Sequence, residues 1–128
     1  MKVVVLCFGN EFVDFDKLPL TLCKELKNKI PGVDFVSCES PNEILDYSGY
    51  DKIFILDVVK GIKDVSIIED LDMLKERKLF TLHDFDLGLF LKILNEVMKI
   101  KNLKIIGIPF GYDKNKAKME IKKIISRI

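Results

Sequence analysis

Three side chains that could bind a metal ion or carry a proton follow apolar stretches of this sequence. Asp57 comes directly after Ile53–Leu56, Asp16 lies in the segment after the first apolar run, and His83 follows the run 78–82. A carboxylate at the end of a buried strand is partly desolvated and can bind a metal, accept a phosphoryl group or act as a base. Two carboxylates and one imidazole, if they converged, would form an open site suited to nickel, zinc, manganese or iron.

Each of these residues also has a purely structural interpretation. Asp16 and its neighbour Asp14 precede a helix predicted near Pro19, where a carboxylate interacts favourably with the helix dipole. Asp57 could cap a loop, and a single histidine such as His83 is often a hydrogen-bonded structural residue. The residues alone leave both interpretations open.

Alternating strand and helix patterns indicate how these side chains are positioned. Short runs rich in β-branched and aromatic residues predict six strands, at 2–8, 34–38, 52–57, 65–68, 78–82 and 103–108. Apolar residues at helical spacing predict a helix that begins near Pro19 and is stopped by Pro31-Gly32. They predict further helices at 42–47 and 87–97, and a last helix that includes 121–128.

This alternation predicts an α/β fold, a three-layer sandwich in which a mostly parallel twisted sheet has helices on both faces. Ligands of such folds bind beyond the carboxyl ends of the strands. Asp16, Asp57 and His83 all follow predicted strands, so the fold class favours them as site residues.

Length and charge exclude several classes of protein. A chain of 128 residues fits one domain spanning 1–128. With 21 Lys+Arg against 20 Asp+Glu the net charge is +1, so the protein has no overall positive electrostatic field that would attract a nucleic acid. The apolar N-terminal run ends at Gly9, too early for a signal peptide or a membrane span, so we expect a cytoplasmic protein without membrane contact.

The spacing of the cysteines and the absence of common motifs exclude several kinds of cofactor and metal site. Cys7, Cys23 and Cys38 are odd in number and widely spaced, which predicts neither a disulfide framework nor a structural zinc. We interpret Cys7 and Cys38 as small buried hydrophobic residues. The sequence contains no G-x-G-x-x-G, P-loop, G-x-S-x-G or H-E-x-x-H motif, so no organic cofactor is expected.

Four segments, taken in order, resemble the hydrogenase maturation endopeptidases, which remove a C-terminal extension from the large subunit of nickel-iron hydrogenases after nickel is installed. The segments are 4–10 with Gly9-Asn10, followed at the family's spacing by Asp16; 50–59 with Asp57; 81–89 with His83; and 105–109 with Gly107-Ile108 before Pro109. Their order along nearly the whole chain carries the resemblance, because no single segment is specific.

The resemblance implies an endopeptidase in which Asp16, Asp57 and His83 are both the catalytic residues and the metal-recognising side chains. The metal would be nickel supplied by the client, the precursor of the hydrogenase large subunit, and the enzyme would act as a monomer. Nickel could polarise the scissile carbonyl or activate water. Alternatively, Asp16 or Asp57 could act as general base while nickel only positions the peptide.

Two departures from the family pattern leave alternatives open. No glycine follows Asp14 and Asp16 closely, and Ser40-Pro41 lies in a segment where many members have a Gly-Thr turn. A non-proteolytic assembly factor of the same fold is therefore one alternative. A phosphoacceptor receiver domain, with Asp57 as acceptor, is another, although the chain lacks that class's acidic pair after the first strand and its lysine before a late proline.

Overall fold

The computed structural model describes residues 1–12, 14, 16–69, 80–81, 92–93, 95–96 and 102–127. Its elements in chain order are β1 (Val3–Phe8), α1 (Leu18–Leu26), β2 (Val33–Cys38), a 3-10 helix (Pro41–Tyr47), β3 (Lys52–Lys60), β4 (Ser66–Ile68), β5 (Phe80–Thr81), β6 (Asn102–Pro109) and α2 (Lys114–Ser126). Lys92, Ile93, Asn95 and Glu96 are also α-helical.

The strands form one mixed sheet in the order β2-β1-β3-β6-β4, and β5 pairs with β3. The pairs β1–β2, β1–β3 and β3–β6 are parallel, whereas β4 is antiparallel to β6 and β5 to β3. The carboxyl ends of β1, β2, β3 and β6 therefore share one edge of the sheet. This topology confirms the predicted α/β fold with a mostly parallel sheet.

Alternate residues of the central strands build two hydrophobic cores, one on each face of the sheet. On one face Val5, Phe54 and Leu56 pack with buried residues of α1 and α2. On the other, Ile55 packs with Ile44 of the 3-10 helix and with the helical residue Ile93. Helical residues thus cover both faces, as a three-layer sandwich requires.

Two predicted boundaries were wrong. β3 continues past Asp57 to Lys60, because Val58 and Val59 pair with the end of β6. α1 ends at Leu26, before the predicted stop at Pro31-Gly32. The chain leaves the helix through Asn28, which has a left-handed φ of 63°, a conformation that asparagine tolerates better than most residues.

The remaining elements confirm the sequence interpretation where they can be compared. The segment 42–47 is helical as predicted, but as a 3-10 helix. Lys92 and Glu96 are exposed as expected, while most of the predicted helix 87–97 lies outside the described residues. Within the described part of the chain, no helix is both long enough and apolar enough to cross a membrane.

Candidate active site

Asp57 occupies the point at which β3 loses one of its two neighbours. The pairing of β1 with β3 ends at Cys7 and Leu56, so Asp57 is the first residue of β3 beyond β1. Its side chain is 0% exposed. The Val58 backbone N–H donates to Asp57 Oδ1 at 2.8 Å, whereas the buried Oδ2 accepts no hydrogen bond from the described residues. One carboxylate oxygen is thus left available to a group that enters the site.

The loop after β1 brings Asp16 into the same region. The Asn10 N–H donates to the Asp16 carbonyl at 3.2 Å and closes the loop. A Cβ on Gly9 would lie 2.3 Å from the Asp16 carbonyl oxygen, so only glycine permits this close approach. The Gly9-Asn10 pair singled out in the sequence therefore has a physical role, which is to fold the segment back so that Asp16 is only 2% exposed.

The two aspartates of this loop have opposite environments. The Asp14 side chain is 97% exposed and forms an ion pair with Lys17 Nζ at 3.2 Å. Asp16 is buried. The structure thus distinguishes an exposed carboxylate from a buried one, although the two are separated by one residue in the sequence.

Asp16 and Asp57 interact electrostatically. Burial raises the pKa of Asp57 well above its ordinary value, and the negative charge of Asp16 raises it further, while the hydrogen bond from Val58 opposes both effects. Two carboxylates in a desolvated site favour binding of a proton or a cation that relieves their repulsion. The structure therefore brings together two of the three residues predicted as the site.

His83, the third predicted residue, lies outside the residues that the structure describes. Thr81, two residues earlier in the chain, pairs with Val59, two residues after Asp57. Among the described residues, no group of three or more His, Cys, Asp or Glu side chains could hold a metal ion. A metal at Asp16 and Asp57 would need further ligands from elsewhere.

A glycine lies beside Asp57 on the neighbouring strand. Gly107 of β6 is the register partner of Asp57. A Cβ at Gly107 would approach Val59 Cγ2 and Ile62 Cδ1 to 3.1 Å. The glycine therefore lets β6 pack closely against the side chains of Val59 and Ile62 beside Asp57.

A cleft of about 460 Å³ opens next to the Asp16 loop. It is lined by the loop after β1, by one side of α1 and by the end of β2: Gly9, Asn10, Glu11, Phe12, Leu20, Lys24, Ser37, Cys38 and Glu39. Phe12 is among the most exposed large hydrophobic residues described, at 87%. The cleft is large enough to take a few residues of an extended polypeptide next to the loop that carries Asp16.

The segment that departs from the family pattern is held by hydrogen bonds. Glu43 Oε2 accepts the backbone N–H groups of Glu39 and Ser40 at 2.6 and 2.7 Å, and Ser40 Oγ accepts the Asn42 N–H at 3.4 Å. These contacts cap the 3-10 helix and shape one wall of the cleft. Ser40-Pro41 therefore builds an ordered helix start.

Solved structures share this architecture over the whole chain. The [NiFe] hydrogenase maturation protease HybD from Thermococcus kodakarensis is 23% identical, with a TM-score of 0.67 over 99% of this chain and 97% of that one. The fold is that of the hydrogenase maturation proteases. The hydrogenase maturating endopeptidase HybD from E. coli has a TM-score of 0.67 at 14% identity, over 99% of this chain and 91% of that one.

A hydrogenase 2 maturation peptidase from a Thaumarchaeota archaeon is similar as well, with 20% identity and a TM-score of 0.57 over 98% of this chain and 95% of that one. No family model and no curated protein matches the chain. At these identities, the likeness to maturation proteases concerns the fold.

Proposed function

We propose that this protein is an endopeptidase that removes the C-terminal extension of a nickel-iron hydrogenase large-subunit precursor after nickel insertion. The observation that carries the proposal is the buried pair Asp16 and Asp57 at the carboxyl edge of a sheet with the maturation-protease fold. Nickel belongs to the client, and the two carboxylates recognise it when the precursor docks.

The incomplete ligand set supports recognition of a client's metal. Two carboxylates and one imidazole bind a metal weakly unless other ligands are present. Cysteines of the client would supply those ligands, so the protein would engage only precursor that already contains nickel. Asp57 Oδ2, buried without a hydrogen-bond partner among the described residues, is the oxygen best placed to accept the metal or a proton.

Thr81, two residues before His83 in the sequence, pairs with Val59, two residues after Asp57. We propose His83 as the third side chain of the site. As a neutral imidazole it would ligate nickel, and its protonation in acid would remove that ligand.

One of the two carboxylates would also act as general base on the attacking water. Asp57 suits this role, because burial and the charge of Asp16 raise its pKa and hence its affinity for a proton. Attack of water on the scissile carbonyl would form a C–O bond, the C–N bond would break, and the base would pass the proton taken from water to the leaving amine. Asp16 would then hold the metal while Asp57 carries the proton.

Burial disfavours the phosphoacceptor alternative. A receiver aspartate must be reached by a phosphodonor, whereas the Asp57 side chain is 0% exposed. The chain also lacks the acidic pair that a receiver domain carries after its first strand.

The test is co-expression with a nickel-loaded large-subunit precursor, followed by mass measurement of the large subunit. Wild type should reduce its mass by that of the C-terminal peptide, and cultures without nickel should show no loss. Asp16→Asn, Asp57→Asn and His83→Ala should each stop cleavage. Asp14→Asn is the matched control, because Asp14 is exposed and lies in the same loop.

Each outcome is informative. Stable binding of the nickel-loaded precursor without cleavage by wild type would show an assembly factor and overturn the proteolytic proposal. Normal cleavage by a folded Asp16→Asn or Asp57→Asn protein would show that the site is elsewhere. Loss of cleavage in Asp14→Asn would point to the loop as a whole rather than to its buried carboxylate.

A further inference from the structure

Two of the three cysteines meet in the core between the sheet and the two long helices. Cys7 of β1 and Cys23 of α1 belong to the same buried cluster. Ser37 of β2 is the register partner of Cys7, and its Oγ donates a hydrogen bond to Cys23 Sγ at 3.5 Å. Cys38 packs in the core on the opposite face of the sheet. The fold therefore selects Cys7 and Cys23 as a pair.

The two thiols differ in acidity. The neighbouring Cys7 thiol, whose Sγ also contacts the Val5 carbonyl oxygen at 3.9 Å, is the main cause that lowers the pKa of Cys23 to about 6. Burial opposes this effect, while Ser37 and the charges of Lys27 and Lys24 act in the same direction. Burial, followed by the interaction with Cys23, raises the pKa of Cys7 well above its usual range. At neutral pH Cys23 is thus the thiolate, which is the nucleophilic form, and Cys7 the thiol.

A small molecule can approach Cys23 from the cleft beside the Asp16 loop. Leu20 and Lys24, on either side of Cys23 along α1, line this cleft together with exposed Ser37. The Cys23 residue itself is 3% exposed. Ser37 Oγ, which contacts Cys23 Sγ, belongs to a residue of the cleft wall, so the sulfur lies directly behind that wall.

We propose that Cys23 is an oxidation site and that a hydroperoxide converts Cys23 and Cys7 into an intramolecular disulfide. The Cys23 thiolate attacks the peroxide, an S–O bond forms, the O–O bond breaks, and the leaving oxygen departs as hydroxide, which takes a proton from solvent, equivalent to the one Cys23 lost on ionisation, and becomes water. Cys7 sulfur then attacks the sulfenic acid, the S–S bond forms, and the S–O bond breaks with loss of a second water that carries the Cys7 proton. Two thiols are oxidised and one peroxide is reduced.

The disulfide would tie β1 to α1 across the segment that contains Gly9, Asn10 and Asp16. Closing this loop lowers the conformational entropy of the unfolded chain, which stabilises the fold. For a loop of this length and a domain of this size, we expect the melting temperature of the oxidised protein to rise by roughly 10 °C. The proposal is independent of proteolysis, because it concerns only the thiols and the fold.

The experiment treats reduced wild-type protein with a small excess of hydrogen peroxide, blocks remaining thiols with N-ethylmaleimide and digests with trypsin without reduction. Each cysteine falls in its own tryptic peptide, namely 3–17, 18–24 and 30–52. We expect a loss of two hydrogens from the intact mass, a cross-linked species joining 3–17 to 18–24, and N-ethylmaleimide on 30–52. Dithiothreitol should reverse the cross-link and the shift in melting temperature.

Variants separate the pair from the third cysteine. Cys38→Ala should still form the cross-link, whereas Cys7→Ala should yield Cys23 oxidised further without one. Three free thiols after treatment of wild type, or a link that involves 30–52, would overturn the proposal. Because the cross-link is mapped in the wild-type protein, the result does not depend on whether a variant folds.

Discussion

The carboxyl group of Asp57 lies within the electrostatic influence of Asp16, and both side chains are buried at the edge where β1 ends and β3 continues. Two like charges in a desolvated site repel each other, so the folded protein is stabilised by whatever neutralises one of them. In the free protein that is a proton, and in the proposed complex it is the client's nickel. The same pair therefore links stability, pH and recognition.

Asp57→Asn should make the protein more stable at neutral pH while stopping cleavage. The pKa of Asp57 is raised in the folded state, so its contribution is most favourable below the unfolded-state value and is lost as pH rises through the folded-state pKa. Removing the charge should increase the free energy of unfolding by about 1 kcal/mol or more at pH 7. Urea denaturation at pH 4 to 8 should show this gain shrinking in acid; a variant that is less stable at every pH would contradict it.

Gly9→Ala should displace Asp16. The new Cβ would lie 2.3 Å from the Asp16 carbonyl oxygen, so the loop must open and the hydrogen bond from Asn10 N–H must lengthen or break. We expect a loss of about 1–3 kcal/mol in unfolding free energy and at least roughly tenfold slower precursor cleavage. Gly49→Ala is the control, because a Cβ there has no neighbour within 4 Å. Equal effects of the two substitutions would refute the role of Gly9.

Cys23 should be the fastest-reacting thiol of the native protein. Its pKa of about 6 reflects the hydrogen bond from Cys7 and the charges of Lys24 and Lys27, while burial raises the pKa of Cys38 to about 12. Methyl methanethiosulfonate should modify Cys23 with a pH midpoint near 6, as followed by the mass of peptide 18–24. Lys27→Gln should move the midpoint upwards. A midpoint near 8.5, the ordinary value for cysteine, would show that Cys7 does not act on Cys23.

Glu43→Ala should loosen the start of the 3-10 helix. Its carboxylate accepts the backbone N–H groups of Glu39 and Ser40, and both lose that partner in the variant. A decrease of about 1–2 kcal/mol in the free energy of unfolding is expected from urea denaturation. Asp46→Ala, an exposed carboxylate of the same helix, should change stability by less than about 0.5 kcal/mol. Similar losses in both variants would mean that the cap contributes nothing.

The fold class, most strand positions and the candidacy of Asp57 follow from the sequence alone, whereas Asp16 was preferred to Asp14 only through the resemblance to a known family. Continuous apolar runs such as 3–8 mark strands buried on both faces, and a carboxylate next to such a run stands out because its burial needs a reason. Strand and helix patterns are local properties of the chain, so they can be recognised without knowledge of the rest of the molecule.

Which groups come into contact depends on the tertiary structure. β3 extends past Asp57 because β6 offers it a partner, Asp14 and Asp16 differ because the Asn10 N–H folds the loop back, and Cys7 meets Cys23 because α1 packs on β1 and β2. These outcomes depend on contacts between segments that are far apart in the chain. The burial of a side chain and the pKa of its ionisable group follow from such contacts, so they cannot be predicted from the periodicity of one segment.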